Sequence, residues 1–211
     1  MEKEIINVIS TKDFLSLVNK FPTNKINQEN LLLIYDLNPD LQYELLNEIL
    51  NKTFSINRES AENDYSILQL IPYVYFLNES TDEVIYYVRS KQSGEKRLHD
   101  KISIGFGGHF RSNESLRENI NREISEELGI KIDLDKLQIK GFLHYSNTPV
   151  SSVHLGIIFE YNFDNDLFDK IKINDEISKI NKIKKNDLNK LNLEDWSKFI
   201  VKYFFSERVN K

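Results

Sequence analysis

Hydrophobic and polar positions change period several times along this chain. Residues 4–9 (Glu-Ile-Ile-Asn-Val-Ile) read as a short strand, with Thr11 as the cap of a helix over 12–20. Leu41, Leu45, Leu46 and Ile49 recur at helical spacing and predict a second helix over 40–51, whereas the polar stretch 52–65 reads as a loop. From Leu68 the pattern becomes β-branched and aromatic. Residues 70–77 and 83–89 flank the turn-like Asn78–Asp82 and predict a hairpin. Further strands are expected over 101–106, 137–145, 152–163 and 177–184, and short helices over 186–191 and 193–205. Strands and helices are mixed rather than strictly alternating, which fits an α+β or three-layer α/β/α arrangement. Tyr73, Tyr75, Tyr86, Tyr87 and Phe142 are expected in the core rather than as base-stacking platforms.

The one helix whose polar face asks for an explanation lies between 115 and 128. Leu116, Ile120, Ile124 and Leu128 repeat every fourth residue and would seat it on a sheet. Glu123, Glu126 and Glu127 stand at i, i+3 and i+4, so three like charges share a neighbouring face and weaken the helix unless a cation offsets them. Carboxylate oxygens are the donors that Mg²⁺ and Mn²⁺ prefer. Ser112 or Asn113 would cap the helix, Glu114 would sit in its first turn, and Gly129 would stop it. Gly107 and Gly108 let the preceding loop approach a ligand closely. Taken alone, a glutamate-rich face is more often a solvated surface than a metal site.

The spacing around those residues changes that balance. Gly108, five residues, Glu114, seven residues, then Arg122-Glu123-Ile124-Ser125-Glu126-Glu127-Leu128-Gly129-Ile130 resembles the Nudix box at every fixed position. Each fixed residue is expected at about one position in twenty, so chance agreement across the whole pattern is negligible. The stretches 66–75, 89–99, 103–109 and 148–156 are similar to a MutT-type predicted phosphoesterase subgroup of that family. The resemblance covers about residues 66–205 and implies a Nudix-type α/β/α sandwich with a mixed β-sheet over 61–211. Residues 1–60 carry no motif and are expected to pack on that domain as an N-terminal helical and strand extension, or to bind a partner.

The resemblance implies metal binding by Glu123, Glu126 and Glu127, with the Gly108 or Gly107 carbonyl contributing, and a Mg²⁺ or Mn²⁺ cofactor. Glu126 or Glu127 would assist deprotonation of the attacking water. Glu114, Arg122, Gly107 and Gly129 would be structural, Arg122 orienting the carboxylates of the box. Family members also recruit an acid near the last strand, for which Glu176 beside Asp175 is the first candidate and Glu160 the second. His109, His154 and Arg97 are candidate substrate contacts, and Arg89 and Lys96, which with Arg97 lie near the strand entering the box, could also meet anionic substrate groups; the alternatives are structural histidines and a basic surface loop. His99 and His144 receive no role.

The implied reaction is divalent-metal-dependent cleavage of a phosphoanhydride bond in a nucleoside diphosphate linked to another moiety. The alternative is a Nudix-fold sensor that binds a nucleotide without turnover. Isomerisation of an isoprenyl diphosphate ranks below both, because that chemistry normally uses a cysteine and this chain has none. The absence of cysteine also excludes disulfides and thiolate metal sites. A formal charge of −5 disfavours a nucleic-acid-coating protein, and the expected partner is a small nucleotide or nucleotide-sugar substrate. No apolar run is long enough to span a bilayer and the N-terminus lacks a signal-peptide pattern, so a cytoplasmic protein is expected, with a homodimer left open.

Overall fold

The computed structural model describes residues 4–21, 25–90 and 101–205. In chain order they form β1 (Ile5–Ser10), α1 (Thr11–Lys20), β2 (Lys25–Gln28), β3 (Leu31–Tyr35), α2 (Pro39–Asn51), β4 (Phe54–Asn57) and α3 (Arg58–Ala61). There follow β5 (Ile67–Asn78), β6 (Glu83–Arg89), β7 (Ile102–Ser103), β8 (Gly105–Phe106) and α4 (Leu116–Leu128). The chain continues through β9 (Leu137–Tyr145), β10 (His154–Asn162), α5 (Asn165–Phe168), β11 (Ile177–Lys184) and α6 (Asp195–Phe204). This is the mixed α/β class the sequence predicts. No helix among the described residues is long and apolar enough to cross a membrane.

Residues divide into two compact units. The first comprises residues 1–73, 107–120 and 139–159. In it β1 pairs antiparallel with both β4 and the start of β5, while β3 lies antiparallel between β2 and β9. Ile6, Val8, Ala61 and Ile67 close a small core that Ile56 flanks. Phe14, Leu17 and Val18 of α1 and Leu45, Leu46 and Ile49 of α2 are buried, each set at helical spacing.

Three local expectations change here. The cap of α1 is Ser10, whose Oγ accepts from the Asp13 amide at 3.0 Å; Thr11 is already helical. The segment 52–65 is not a loop throughout, since β4 pairs with β1 and α3 follows directly. Its polar residues hide this because β4 is half exposed and gains its backbone partners only from β1, fifty residues upstream. The hairpin β2–β3, in a stretch given no structure by the sequence, is likewise held by pairing with β9.

The second unit comprises residues 74–106, 121–138 and 160–211. There β6 pairs antiparallel with β11 on one side and with β5 and β7 on the other, and β8 lies against Val74 and Tyr75 of β5. Phe106 of β8 packs edge-on to Phe76 with ring centroids 5.6 Å apart, and tilted on Tyr87 at 4.8 Å. β5 is buried along nearly its whole length, as a central strand is. β11 alternates Lys179, Lys182 and Lys184 with apolar residues and is mostly exposed, a composition that discourages further strand addition.

The first unit ties down the start of β1 electrostatically. Glu4 Oε2 meets Arg58 Nη1 at 2.8 Å and Oε1 meets Arg111 Nε at 3.2 Å. Burial acts to raise the Glu4 carboxyl, but the two guanidinium partners outweigh it and hold it below its ordinary 4.5. A lowered folded-state value contributes stability that is complete above the unfolded value and is lost as pH falls through the folded one. Glu4→Gln should therefore cost about 0.5 to 1 kcal/mol near pH 7, the modest scale of partly exposed pairs, and a smaller amount at about pH 3. Urea unfolding of both proteins at the two pH values measures this; an equal difference at both would refute it.

Candidate active site

Helix α4 begins one residue after Ser115, which makes a reciprocal capping box. The Ser115 amide donates to Glu118 Oε2 at 2.7 Å and the Glu118 amide to Ser115 Oγ at 3.3 Å. Ser112 and Asn113 are therefore not the cap, and Glu114 precedes the helix rather than occupying its first turn. Ile120, Ile124 and Leu128 are buried as the periodicity requires, while Leu116 is half-buried. Gly129 ends the helix with φ of 64°, and an added Cβ would sit 3.0 Å from the Lys172 carbonyl oxygen.

The box carboxylates stand on the part of α4 that belongs to the second unit. Arg122 Nη1 donates to Glu123 Oε1 at 2.7 Å and to Glu126 Oε2 at 3.2 Å, so one guanidinium bridges two of the three like charges. The side chains of Arg122 and Glu123 are only 17% and 14% exposed, whereas Glu126 is 53% exposed and reaches solvent. Glu127 is half-buried. Among the described residues no three His, Asp or Glu side chains converge as a metal cluster. The donor set still suits a hard divalent cation: anionic oxygens on one helix face, two of them oriented by Arg122.

Tyr87 lies within the electrostatic reach of Glu127. Burial pushes its phenol well up; Arg89 opposes this, and the charges of Glu127 and Glu194 add to the rise. Arg89 also lies over the Tyr87 ring, 5.4 Å from its centroid. Glu194 is buried and accepts from Ser103 Oγ at 2.8 Å and Ser197 Oγ at 3.2 Å, and Ser197 Oγ accepts from the Ile104 amide at 3.0 Å. The sequence reading passed over Glu194 because one acid among the charges of 184–195 carries no spacing signal; β7 and α6 bury it.

The two acids suggested as extra catalytic groups sit differently. Glu160 is buried and accepts from the Tyr75 hydroxyl at 2.6 Å. Burial and this carboxylate push the Tyr75 phenol up. Glu176 is exposed on a turn where its amide donates to Asn174 Oδ1 at 3.0 Å and its carbonyl accepts from the Ser90 amide at 2.8 Å. Neither joins the box glutamates in a three-acid group among the described residues. Arg97, with Lys96 and His99, lies outside the described residues.

In the first unit the glycine loop is built by close backbone approach. Gly107 has φ of 148°, and a Cβ there would fall 2.0 Å from the Pro72 carbonyl oxygen. Two residues on, the His109 carbonyl accepts from Asn119 Nδ2 at 2.8 Å, and the same Nδ2 donates to Glu114 Oε2 at 3.1 Å. Asn119 is fully buried. It was not singled out from sequence, although it stands four and eight residues before Glu123 and Glu127 and continues their row on the helix. Glu114 thus accepts from that amide at the start of α4.

His109 Nε2 lies 3.2 Å from His154 Nε2. His154 Nδ1 is 2.6 Å from the Val150 carbonyl oxygen, and His144 Nδ1 is 2.9 Å from the His154 carbonyl oxygen, so both Nδ1 atoms carry protons. Burial lowers His109 to about 3, with Arg58 and His154 adding and Glu4 opposing. The structure therefore brings together two histidines suggested separately as substrate contacts. His154 is half-buried between buried Val153 and Leu155, as strand alternation predicts.

No family model matches the chain. Protein YmaB of Bacillus subtilis (strain 168) is 33% identical over 170 residues, covering 75% of this chain and 81% of that protein. The crystal structure of Tm1382, assigned as a Nudix hydrolase, aligns with a TM-score of 0.70 at 27% identity over 95% of this chain and 98% of its own. DR0079 from Deinococcus radiodurans aligns with a TM-score of 0.53 at 16% identity, over 72% of this chain and 91% of its own, a likeness of fold.

Two substitutions measure how tightly the loop is built. Gly107→Ala should cost about 2 kcal/mol or more, since the methyl meets backbone that cannot move aside cheaply. Asn119→Ala should cost about 1 to 3 kcal/mol by removing the buried donor that both the His109 carbonyl and Glu114 accept from. Denaturant midpoints report both, and a loss below the scatter of the measurement in either would contradict the packing described.

Proposed function

Because the chain belongs to the Nudix hydrolase superfamily, we propose that it is a divalent-metal-dependent hydrolase of a phosphoanhydride bond, acting on a nucleoside diphosphate linked to another moiety. The observation that carries this reading is the α4 face, where Arg122 orients Glu123 and Glu126 beside Glu127. Glu123, Glu126 and Glu127 would hold Mg²⁺ or Mn²⁺. Bound there, the cation would neutralise pyrophosphate oxygens and make a coordinated water more acidic.

The chain's own residues do the remaining work. Ile120, Ile124 and Leu128 anchor α4, so its carboxylates are presented from a rigid support rather than a loop. Arg122 takes one oxygen from Glu123 and one from Glu126, which limits their rotation and their mutual repulsion. Glu126 reaches solvent and Glu127 stands half-buried, its charge felt by the Tyr87 phenol; either could accept the proton of the attacking water. Attack at phosphorus then needs positioning and charge stabilisation more than covalent participation by the protein. Glu176 is kept as a candidate second acid, now from an exposed turn.

Turnover should appear with Mg²⁺ or Mn²⁺ against at least one of a panel of nucleoside triphosphates, dinucleoside polyphosphates, ADP-ribose, NADH, sugar nucleotides and coenzyme A. Glu126→Gln and Glu127→Gln should each lower kcat by about a hundredfold or more without loss of fold. The variant that also flattens the acid limb of the pH–rate profile identifies the proton acceptor. Arg122→Gln should instead raise the metal concentration needed for half-maximal rate by about tenfold. Thermal stabilisation by a nucleotide with no turnover under either metal would favour the sensor reading and refute this one.

A further inference from the structure

We infer that His109 and His154 form a second cation site, a chelating imidazole pair for a borderline transition-metal ion such as Ni²⁺, Cu²⁺ or Zn²⁺. The chemistry differs from that of the α4 carboxylates, which suit hard cations, and the inference does not rest on the proposed reaction.

Spacing comes first. The two Nε2 atoms are 3.2 Å apart. Two imidazole nitrogens bound at about 2.0 to 2.1 Å to one tetrahedral ion lie about 3.3 Å apart, so the rings need little movement to chelate; the proton that His109 Nε2 donates to His154 Nε2 leaves that nitrogen as the ion binds, by transfer to Nδ1 or to solvent. The rings meet at 61° with centroids 5.3 Å apart, so they converge through their edges rather than stack.

Proton placement comes second. His154 Nδ1 donates to the Val150 carbonyl, which in the neutral ring leaves the lone pair on Nε2. Metal-bound histidines characteristically use the other ring nitrogen in this way, because it fixes the tautomer and aims the ligand atom. The Val150 carbonyl sits in a turn closed by the Thr148 amide on Ser151 Oγ at 3.0 Å and the Ser151 amide on Thr148 Oγ1 at 3.1 Å. On the other side the His109 carbonyl is held by buried Asn119. Both imidazoles are therefore mounted on backbone that is already tied down.

Charge and access come third. Arg58, whose field reaches His109, is paired with Glu4 at 2.8 Å, which offsets its repulsion of a cation. His154 is half exposed, which gives an ion a way in. No third His, Asp or Glu completes a cluster among the described residues, so water or an anion would fill the other positions and the affinity would be moderate.

Calorimetric titration of the full chain with Ni²⁺ is run in a large excess of Mg²⁺, which competes for carboxylate oxygens but not for imidazole nitrogens. The expected result is one Ni²⁺ per chain, weakened about tenfold or more in His154→Ala and unchanged in Glu126→Gln. Replacing Ni²⁺ by Cu²⁺ should give an electron paramagnetic resonance spectrum with nitrogen couplings from two imidazoles. Matched thermal midpoints of the parent and His154→Ala confirm that the variant is folded. Absence of Ni²⁺ binding by the parent, or equal affinity in folded His154→Ala, overturns the proposal and leaves the contact as a histidine–histidine hydrogen bond.

Discussion

Three glutamates on adjoining positions of one helix repel each other, and the candidate site depends on how this repulsion is contained. Arg122 meets two of them through a single nitrogen at 2.7 and 3.2 Å. The exposed surface around Glu126 screens part of the remainder. The neighbouring apolar stripe gives the helix an anchor independent of charge, so the acidic face persists where an isolated peptide of this composition would fray.

A different kind of constraint governs the loop before the helix. At Gly107 the backbone passes so close to the Pro72 carbonyl that no side chain fits, and two residues later Asn119 clasps the His109 carbonyl from the first turns of α4. Glu114 holds the same amide. Steric exclusion at one point and a buried amide at the other leave the loop little freedom, and His109 is aimed at His154 as a result. The first unit thus holds imidazoles in place by backbone ties, whereas the second holds carboxylates by a guanidinium.

Helices and central strands were the legible part of the fold. The cap signal before α1, the spacings of α2 and α4, the hairpin β5–β6, and strands β9, β10 and β11 are local patterns that survive without tertiary context. The short strand β4 and the hairpin β2–β3 were not legible, because β4 pairs with distant β1 and β3 with distant β9, and their residues do not alternate clearly. Caps were read one or more residues away from their true positions at Ser10 and Ser115, since several hydroxyl and amide side chains compete locally and only backbone geometry selects one.

For the glutamate-rich helix, the spacing of box residues along the chain already determined its apolar seat, its acidic face and its glycine stop, because a helix converts separation in sequence directly into direction. Family membership came with them. Only the tertiary structure decided that Asn119 is the tie between loop and helix, that Glu160 is taken by Tyr75 and Glu194 by two serines, and that His109 faces His154 across forty-five residues. These depend on which strand lies beside which. A pairing across tens of residues leaves no period in a single chain, so its partners become visible only when the strands are in place.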